Sequence, residues 1–493
     1  MISRTCRAAS RRRHVGHRLI PTKSSASQLI LGAAQRAGPP SFSFPLASRT
    51  YSASPIHQSW WNPFARGSGE RDGSALLASI RGNSVDEAES PRRLQERKDM
   101  MVALLALQFR QLYIASPDTP REELIDQAFD ALEEKELDEK TLLQLRHELQ
   151  SSLQDQVVDI FKAFEQADAL LPDPHDEMDS ELWESSLQTE WQFAKGELDH
   201  SKGAPKGANP QEFLSQKIAA IEMLLERRQH YRETLAETSK DSEEKTDPTL
   251  PEADPFGYHE TIDDERNMHI RHYQTVNLCR SALIRQQVGY SVVAMKSSVP
   301  NAGRGVFVDG YAPAGSILAF QPGKIWTKEH LVNLPIEIEK ELERNDNYQM
   351  SLRPDDHMID SRNSPYTVLT GDNSNPFALG HVVNHPTPTK PFNSKTVAVN
   401  FSESMELTPA QKRYIPNTYA RPRTLTIMGS LFDREAVEAH GICLIATRDI
   451  CNEEIFYDYR LVTSQLPTWY HRVEDLHFDE VEEEKADEAK VEQ

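Results

Sequence analysis

Cysteine is scarce: Cys6, Cys279, Cys443 and Cys451 are the whole set in 493 residues. Four scattered cysteines build neither a disulfide framework nor a zinc ribbon, so reduced thiols are expected. Long apolar runs are missing as well. Met100 to Leu107 is the nearest approach and falls far short of the roughly 18–20 residues that a spanning helix requires. No transmembrane segment is expected. A basic excess is also absent: 76 acidic residues against 55 basic ones leave a net charge of −21. Phosphate backbones are held by clustered Lys and Arg, so direct nucleic-acid binding is not expected.

Acid is missing in one place. From Met1 to Gly69 there is no Asp or Glu, while Arg4, Arg7, Arg11, Arg12, Arg13, Arg18, Lys23, Arg36, Arg49 and Arg66 are spread through a Ser- and Ala-rich stretch. This is the composition of a mitochondrial transit peptide. Arg49-Thr50-Tyr51-Ser52 resembles a matrix-protease cut after Tyr51, which puts the peptide at 1–51 and the protein in the mitochondrial matrix. The competing readings are a basic arm and a nuclear signal at Arg11 to Arg13.

The rest of the sequence reads as an α+β chain. Residues 52–90 form an irregular lead-in around Trp60-Trp61-Asn62-Pro63. Residues 91–170 are a helical region, with Thr119-Pro120-Arg121-Glu122 as a capping box and proline at the first helical position. Leu124, Ile125, Phe129 and Leu132 recur at helical spacing, as do Leu142, Leu143, Leu145, Leu149, Leu153, Val157, Ile160, Phe161 and Phe164. This stripe packs on itself or on the second half; the alternative is a surface for a protein partner. Pro, Gly, Asp and Ser mark 171–209 as a linker. A helix at 210–237 precedes an acidic, proline-punctuated linker at 238–257, where a domain boundary is expected. The last folded unit is placed at 258–470 and an acidic tail at 471–493.

After a helix near 261–288, short β-rich runs appear: Tyr290 to Ala294, Gly305 to Val308, Ile317 to Phe320, Val397 to Phe401, Ile442 to Ala446 and Glu454 to Tyr459. Three stretches among them carry chemistry. Gly303-Arg304-Gly305 is a turn at which a ligand can approach the backbone, though no βαβ unit surrounds it. His381 and His385 are four apart, but Val382, Val383 and Pro386 favour an extended segment, where that spacing gives no common grip on a metal ion. No metal is expected, and His381 reads as an ordinary strand residue. Tyr457 and Tyr459 point to one side of the last run.

In this order the stretches resemble the SET domain of protein lysine methyltransferases. Gly303-Arg304-Gly305 matches its opening Gly-x-Gly, and Phe320-Gln321-Pro322-Gly323 its next motif. Asn384-His385 matches its Asn-His pair, and Glu453-Glu454-Ile455-Phe456-Tyr457-Asp458-Tyr459 its closing motif. The resemblance spans about 282–462, making 258–470 a β-rich, SET-like domain of short strands with irregular connections and an insertion at about 402–440. Met358-Ile359-Asp360, Asn375 to Gly380 and Tyr414-Ile415-Pro416-Asn417 resemble the family of SET domain-containing protein nine. Several positions depart from the pattern. Pro386-Thr387-Pro388 follows the Asn-His pair, with Asn393 standing for a later asparagine. Asn452 replaces a glycine, and Leu466 to Tyr470 stand where a cysteine-rich segment is usual.

The resemblance implies S-adenosylmethionine as cofactor, bound by Gly303, Arg304, Gly305, Asn384 and His385. It implies a protein lysine as substrate, Tyr459 as the catalytic tyrosine, and Tyr457 as a switch toward lower methylation. The expected activity is protein-lysine N-methyltransfer on a mitochondrial protein. The alternatives are an inactive SET-fold assembly module and a nuclear histone-lysine methyltransferase. Lys412, Arg413, Arg421 and Arg423 read as a solvated face of the insertion or as an attraction for acidic substrate.

Overall fold

The computed structural model describes residues 91–135, 140–171, 181–201, 210–238, 264–327, 350–352, 357–361, 375–388, 390–420, 437–460 and 470. The expected transit peptide, the lead-in, the linker at 239–257, Arg421, Arg423 and the acidic tail lie outside these residues. The fold is mixed α+β: helices fill the N-terminal half, and short strands in small sheets follow. Helices α1 (Pro91–Ala115), α2 (Arg121–Glu133), α3 (Leu142–Leu170), α4 (Glu181–Ser201), α5 (Pro210–Thr238) and α6 (Asp264–Val288) come first. Strands β1 (Tyr290–Lys296), β2 (Arg304–Ala312) and β10 (Ile450–Cys451) make one sheet in the order β1-β2-β10. A second sheet has the order β3-β9-β7, from Ile317–Phe320, Val437–Ala446 and Ser394–Ser402. In the third, β5 (Met350–Leu352), β6 (Met358–Asp360), β4 (Gly323–Trp326) and β8 (Asn417–Tyr419) lie side by side in that order.

Helix α3 organises the core. It starts at a capping box: Gln144 N donates to the Thr141 side chain, and Thr141 N donates to Gln144 Oε1. The box expected at Thr119 does not form. Leu124 N bonds Pro120 O, so Pro120 is the N-cap and Thr119 falls one residue too early. From α3, Leu145, Leu149, Leu153, Val157, Ile160, Phe161 and Phe164 are buried, whereas Leu143 is exposed. The Phe161 ring lies 5.8 Å from Phe320, 6.0 Å from Phe401 and 5.8 Å from Tyr414, and Phe164 lies 5.1 Å from Phe377. Each such burial is worth about 1.5–3 kcal/mol. Glutamines on α3 reach the sheet as well. Gln150 exchanges two 2.8 Å hydrogen bonds with the backbone of Asn400, on the β7 side of its sheet. Gln156 is buried, donating to Gly315 O and accepting from Ile317 N.

Helix α1, helix α3 and the strands therefore share one hydrophobic core, and the expected boundary at 238–257 does not separate two domains. The linker expected at 171–209 is corrected in the same way. Helix α4 runs through it, because Trp183, Leu187 and Ala194 recur at helical spacing and are fully buried. Trp183 and Leu187 share a second cluster with Phe213 and Ile221 of α5 and with Phe307 of β2. The insertion at about 402–440 is partly woven into the fold. It carries a one-turn helix α7 (Pro409–Lys412) and β8, and Tyr414 is fully buried against α3. Lys412 pairs with Glu438 and Arg413 with Asp168.

A charge cluster ties three helices to β2. Asp309 of β2 accepts from Lys217 of α5 at 2.7 and 2.8 Å, from Arg285 of α6 at 2.7 Å and from Ser281 at 3.1 Å. Glu190 of α4 bonds both cations, with Arg285 at 2.7 Å. Two cations balance two anions, as buried charge requires. Burial alone would raise the Asp309 carboxyl, but Arg285 and Lys217 outweigh it and hold the group well below the usual carboxylate range. A depressed native pKa adds stability that is complete above the unfolded value of about 3.9 and declines as pH falls below it toward the native value. Asp309→Asn is therefore expected to cost about 3–5 kcal/mol at pH 7. In urea melts, its difference from the wild type should narrow below about pH 4; a gap that widens there would contradict this reading.

Candidate functional site

The β1–β2 connection is tight. Ser297 N bonds Gly303 O at 2.9 Å and Ala302 N bonds Val299 O at 3.2 Å. Asn301 and Gly303 take φ of 63° and 71°, in the left-handed region that glycine occupies without steric cost. Gly303 ends the turn; Arg304 and Gly305 already belong to β2.

The closing stretch runs between this hairpin and the Asn-His segment. On one side, Val308 N bonds Glu453 O and Ile455 N bonds Val306 O. On the other, Tyr457 N bonds Asn384 O, and Asn393 N and Ser394 N both bond Phe456 O. The strand expected at Glu454 to Tyr459 is replaced by isolated bridges, Phe307 with Glu454 and Asn384 with Phe456. Among the described residues of this stretch, only the backbones of Glu453 and Ile455 bond β2, and only those of Phe456 and Tyr457 bond the other side, so neither pairing runs long enough for a continuous ladder. Asn393 is buried, donating to Glu454 O and accepting from Phe456 N, both at 2.8 Å.

At the centre is the Glu454 carboxylate, 4% exposed. Oε1 accepts from Ser297 Oγ at 2.7 Å and Asn384 Nδ2 at 3.0 Å; Oε2 accepts from Ser298 N at 2.7 Å and Ser298 Oγ at 2.5 Å. Asn384 Nδ2 also donates to Arg304 O at 2.9 Å. A Cβ on Gly305 would stand 1.9 Å from Glu454 Oε1 and 3.1 Å from Asn384 Nδ2. Gly305 and the Asn384 amide are thus committed to packing around Glu454.

The tyrosines lie at the next step along the same stretch. The Tyr457 and Tyr459 rings are 4.9 Å apart, in line with the side-sharing expected of them. The Tyr459 hydroxyl donates to Val383 O at 2.7 Å. Burial, with the Asp458 charge second, raises the Tyr457 phenol above the ordinary tyrosine value, so it is neutral at physiological pH. His385 is buried, with its ring 5.3 Å from Tyr459 and 4.3 Å from Tyr470. Its Nδ1 accepts from Tyr459 N at 3.3 Å. The Asp458 Oδ1 oxygen lies 3.9 Å from the same nitrogen.

His381 takes a different place. It lies in a 3₁₀ turn, Gly380–Val382, closed by Val382 N to Leu379 O, and not in a strand. Burial and then the Arg304 charge lower its pKa to about 4. Its Nδ1 is buried with no hydrogen-bond partner among the described residues. Among those residues, too, nothing lies within 4 Å of where a Cβ on Gly303 would sit. Among the described residues, the open space at Gly303 leaves room for a ligand laid against the turn.

The structure thus brings Gly303, Arg304, Gly305, Asn384, His385, Tyr457 and Tyr459 to neighbouring positions along one segment. It adds Ser297, Ser298 and Tyr470, and gives buried hydrogen-bonding places to the motif residues Asn393 and Glu454. The serines were legible only as a pair beside the Gly-x-Gly turn, and nothing local marked Tyr470. No family model, curated protein or solved structure matches the chain. No helix among the described residues is long and apolar enough to cross a membrane.

Two glycine substitutions separate packing from ligand space. Gly305→Ala must displace the Glu454 carboxylate and is expected to cost at least ~2 kcal/mol, because buried hydrogen bonds are broken. Gly303→Ala meets no atom within 4 Å among the described residues beyond its chain neighbours and is expected to cost only about 1–2 kcal/mol of left-handed strain. Urea denaturation of both variants decides it, and an equal or reversed order would contradict the site geometry.

Proposed function

We propose that this chain is an S-adenosylmethionine-dependent protein-lysine methyltransferase with a SET-like domain. The observation that carries the reading is the convergence of the Gly-x-Gly turn, the Asn-His pair and the closing Glu-Glu-x-x-x-Asp-Tyr stretch. These are far apart in sequence and hydrogen-bonded along one segment, Glu453 to Tyr459. Gly303, the Arg304 backbone, His381 and His385 are the residues that would hold the cofactor. When bound, it supplies an electrophilic methyl group.

The protein's own part is to bind, align and dry the amine. A lysine attacks only as the neutral amine, and a buried channel lowers its pKa. Tyr459, with its proton donated to Val383 O, offers a phenol oxygen as acceptor for an amine N–H. Alignment of this kind can lower a barrier by several kcal/mol. Tyr457, buried 4.9 Å from Tyr459, is a neutral hydroxyl that crowds the amine and favours lower methylation. We also place the protein in mitochondria on the composition of residues 1–51, so its substrate is a mitochondrial protein.

The test is transfer of labelled methyl groups from S-adenosylmethionine to mitochondrial extract. Wild type is expected to label a protein band, mainly with monomethyl-lysine by mass spectrometry. Tyr459→Phe should lower the rate about 10²-fold or more, as misplaced reactants do. Undiminished labelling by Tyr459→Phe would overturn the catalytic assignment. A fusion of residues 1–70 that accumulates in the nucleus would overturn the location. One observation favours a second reading, an inactive SET-like assembly module: the Asn384 amide and the space at Gly305 are occupied by Glu454. Absence of labelling by a folded wild-type chain would select it.

A further inference from the structure

Asp99 reaches the end of the candidate site from the N-terminal half. It stands on α1, and its carboxylate contacts Lys395 of β7 and both terminal nitrogens of Arg460, with Nη2 at 3.1 Å. Gln95 Nε2 also donates to it, at 2.9 Å. Burial alone would raise its pKa, but the hydrogen bond from Arg460 and the charge of Lys395 outweigh this and keep it ionised.

Arg460 directly follows Tyr459, and its φ of 50° lies in the left-handed region, which a residue with a Cβ adopts only when its surroundings hold it there. Its backbone N–H donates to Asp458 Oδ1 at 2.9 Å, and its Nε lies 3.6 Å from Asp458 Oδ2. The Tyr470 hydroxyl donates to the same Asp458 oxygen at 3.4 Å. Both neighbours of Tyr459 are therefore anchored, and that anchor continues through Arg460 to α1.

We propose that Asp99 is a positioning residue for Tyr459, so that α1 is a working part of the site and not a separate recruitment element. An exposed Arg–carboxylate pair on a surface usually does little. Here the pair differs in three ways. The carboxylate side chain is only 17% exposed, a second cation shares it, and the arginine it holds carries the strained bond next to the tyrosine. The catalytic consequence rests on the methyl-transfer reading; the positioning itself does not.

The experiment uses the full chain labelled with 3-fluorotyrosine and followed by fluorine NMR. The Tyr459 signal is assigned by its loss in Tyr459→Phe, and Tyr419 on β8 serves as reference. Asp99→Asn and Arg460→Gln are expected to shift or broaden the Tyr459 signal while Tyr419 stays in place. Asp99→Glu, which keeps the charge, should return the Tyr459 signal toward wild type. In the transfer assay Asp99→Asn should lower kcat roughly tenfold or more with the KM for S-adenosylmethionine unchanged. An unmoved Tyr459 signal in either variant, with Tyr419 native, would overturn the proposal. Should Asp99→Asn fail to fold, the exposed Arg460→Gln carries the same decision. A folded wild type that transfers no methyl group, yet whose Tyr459 signal responds to Asp99→Asn, would remove the methyl-transfer reading and leave the positioning role in place.

Discussion

Everything near the candidate site depends on one buried carboxylate. Glu454 is neutralised by no cation among its described hydrogen bonds; four neutral donors, from Ser297, Ser298 and Asn384, satisfy it. Because the donors come from the β1–β2 turn and from the segment before His385, the same group fixes two distant pieces of chain against the closing stretch. Gly305 follows from this constraint, since any side chain there would occupy the place of Oε1. The positions of Tyr457 and Tyr459, three and five residues further on, inherit their placement from it.

The second constraint is the sharing of one core between helices and sheets. Small three- and four-stranded sheets cannot bury both faces by themselves, and three or more strands need a hydrophobic layer to pack against. Helix α3 supplies that layer with Phe161 and Phe164, and its glutamines satisfy backbone groups at Asn400, Gly315 and Ile317. The Lys217, Glu190, Arg285 and Asp309 cluster joins α4, α5 and α6 to β2 in the same sense. The N-terminal half is thus a structural component of the unit that carries the candidate site.

Much of the strand content was legible because β-branched and aromatic runs are short and bounded by turn residues: Ile317–Phe320 coincides with its expected range. The α4 helix was not, because acidic and polar residues dilute its apolar spacing and only tertiary burial reveals Trp183 and Leu187 as core. The Glu454 to Tyr459 stretch looked like a strand because its residues favour extension; its backbone pairs only briefly on each side, so it carries isolated bridges. The motif residues were legible individually. The role of Glu454 was not, since the first residue of an expected strand shows no binding partner until Ser297 and Asn384 are seen around it. Tyr470 was hidden for a related reason: its stacking on His385 joins positions far apart in sequence, and no local pattern announces it.

If the hairpin turn, the Asn-His segment and the closing stretch form a methyl-donor site, Glu454 is the group that holds it together. Titration calorimetry of the full chain with S-adenosylmethionine decides the matter, with Glu454→Gln measured under the same conditions. Saturable one-to-one binding is expected of the wild type. The variant should lose about tenfold or more in affinity, which corresponds to about 1.4 kcal/mol. A folded wild-type chain that binds no S-adenosylmethionine would refute the methyl-donor site.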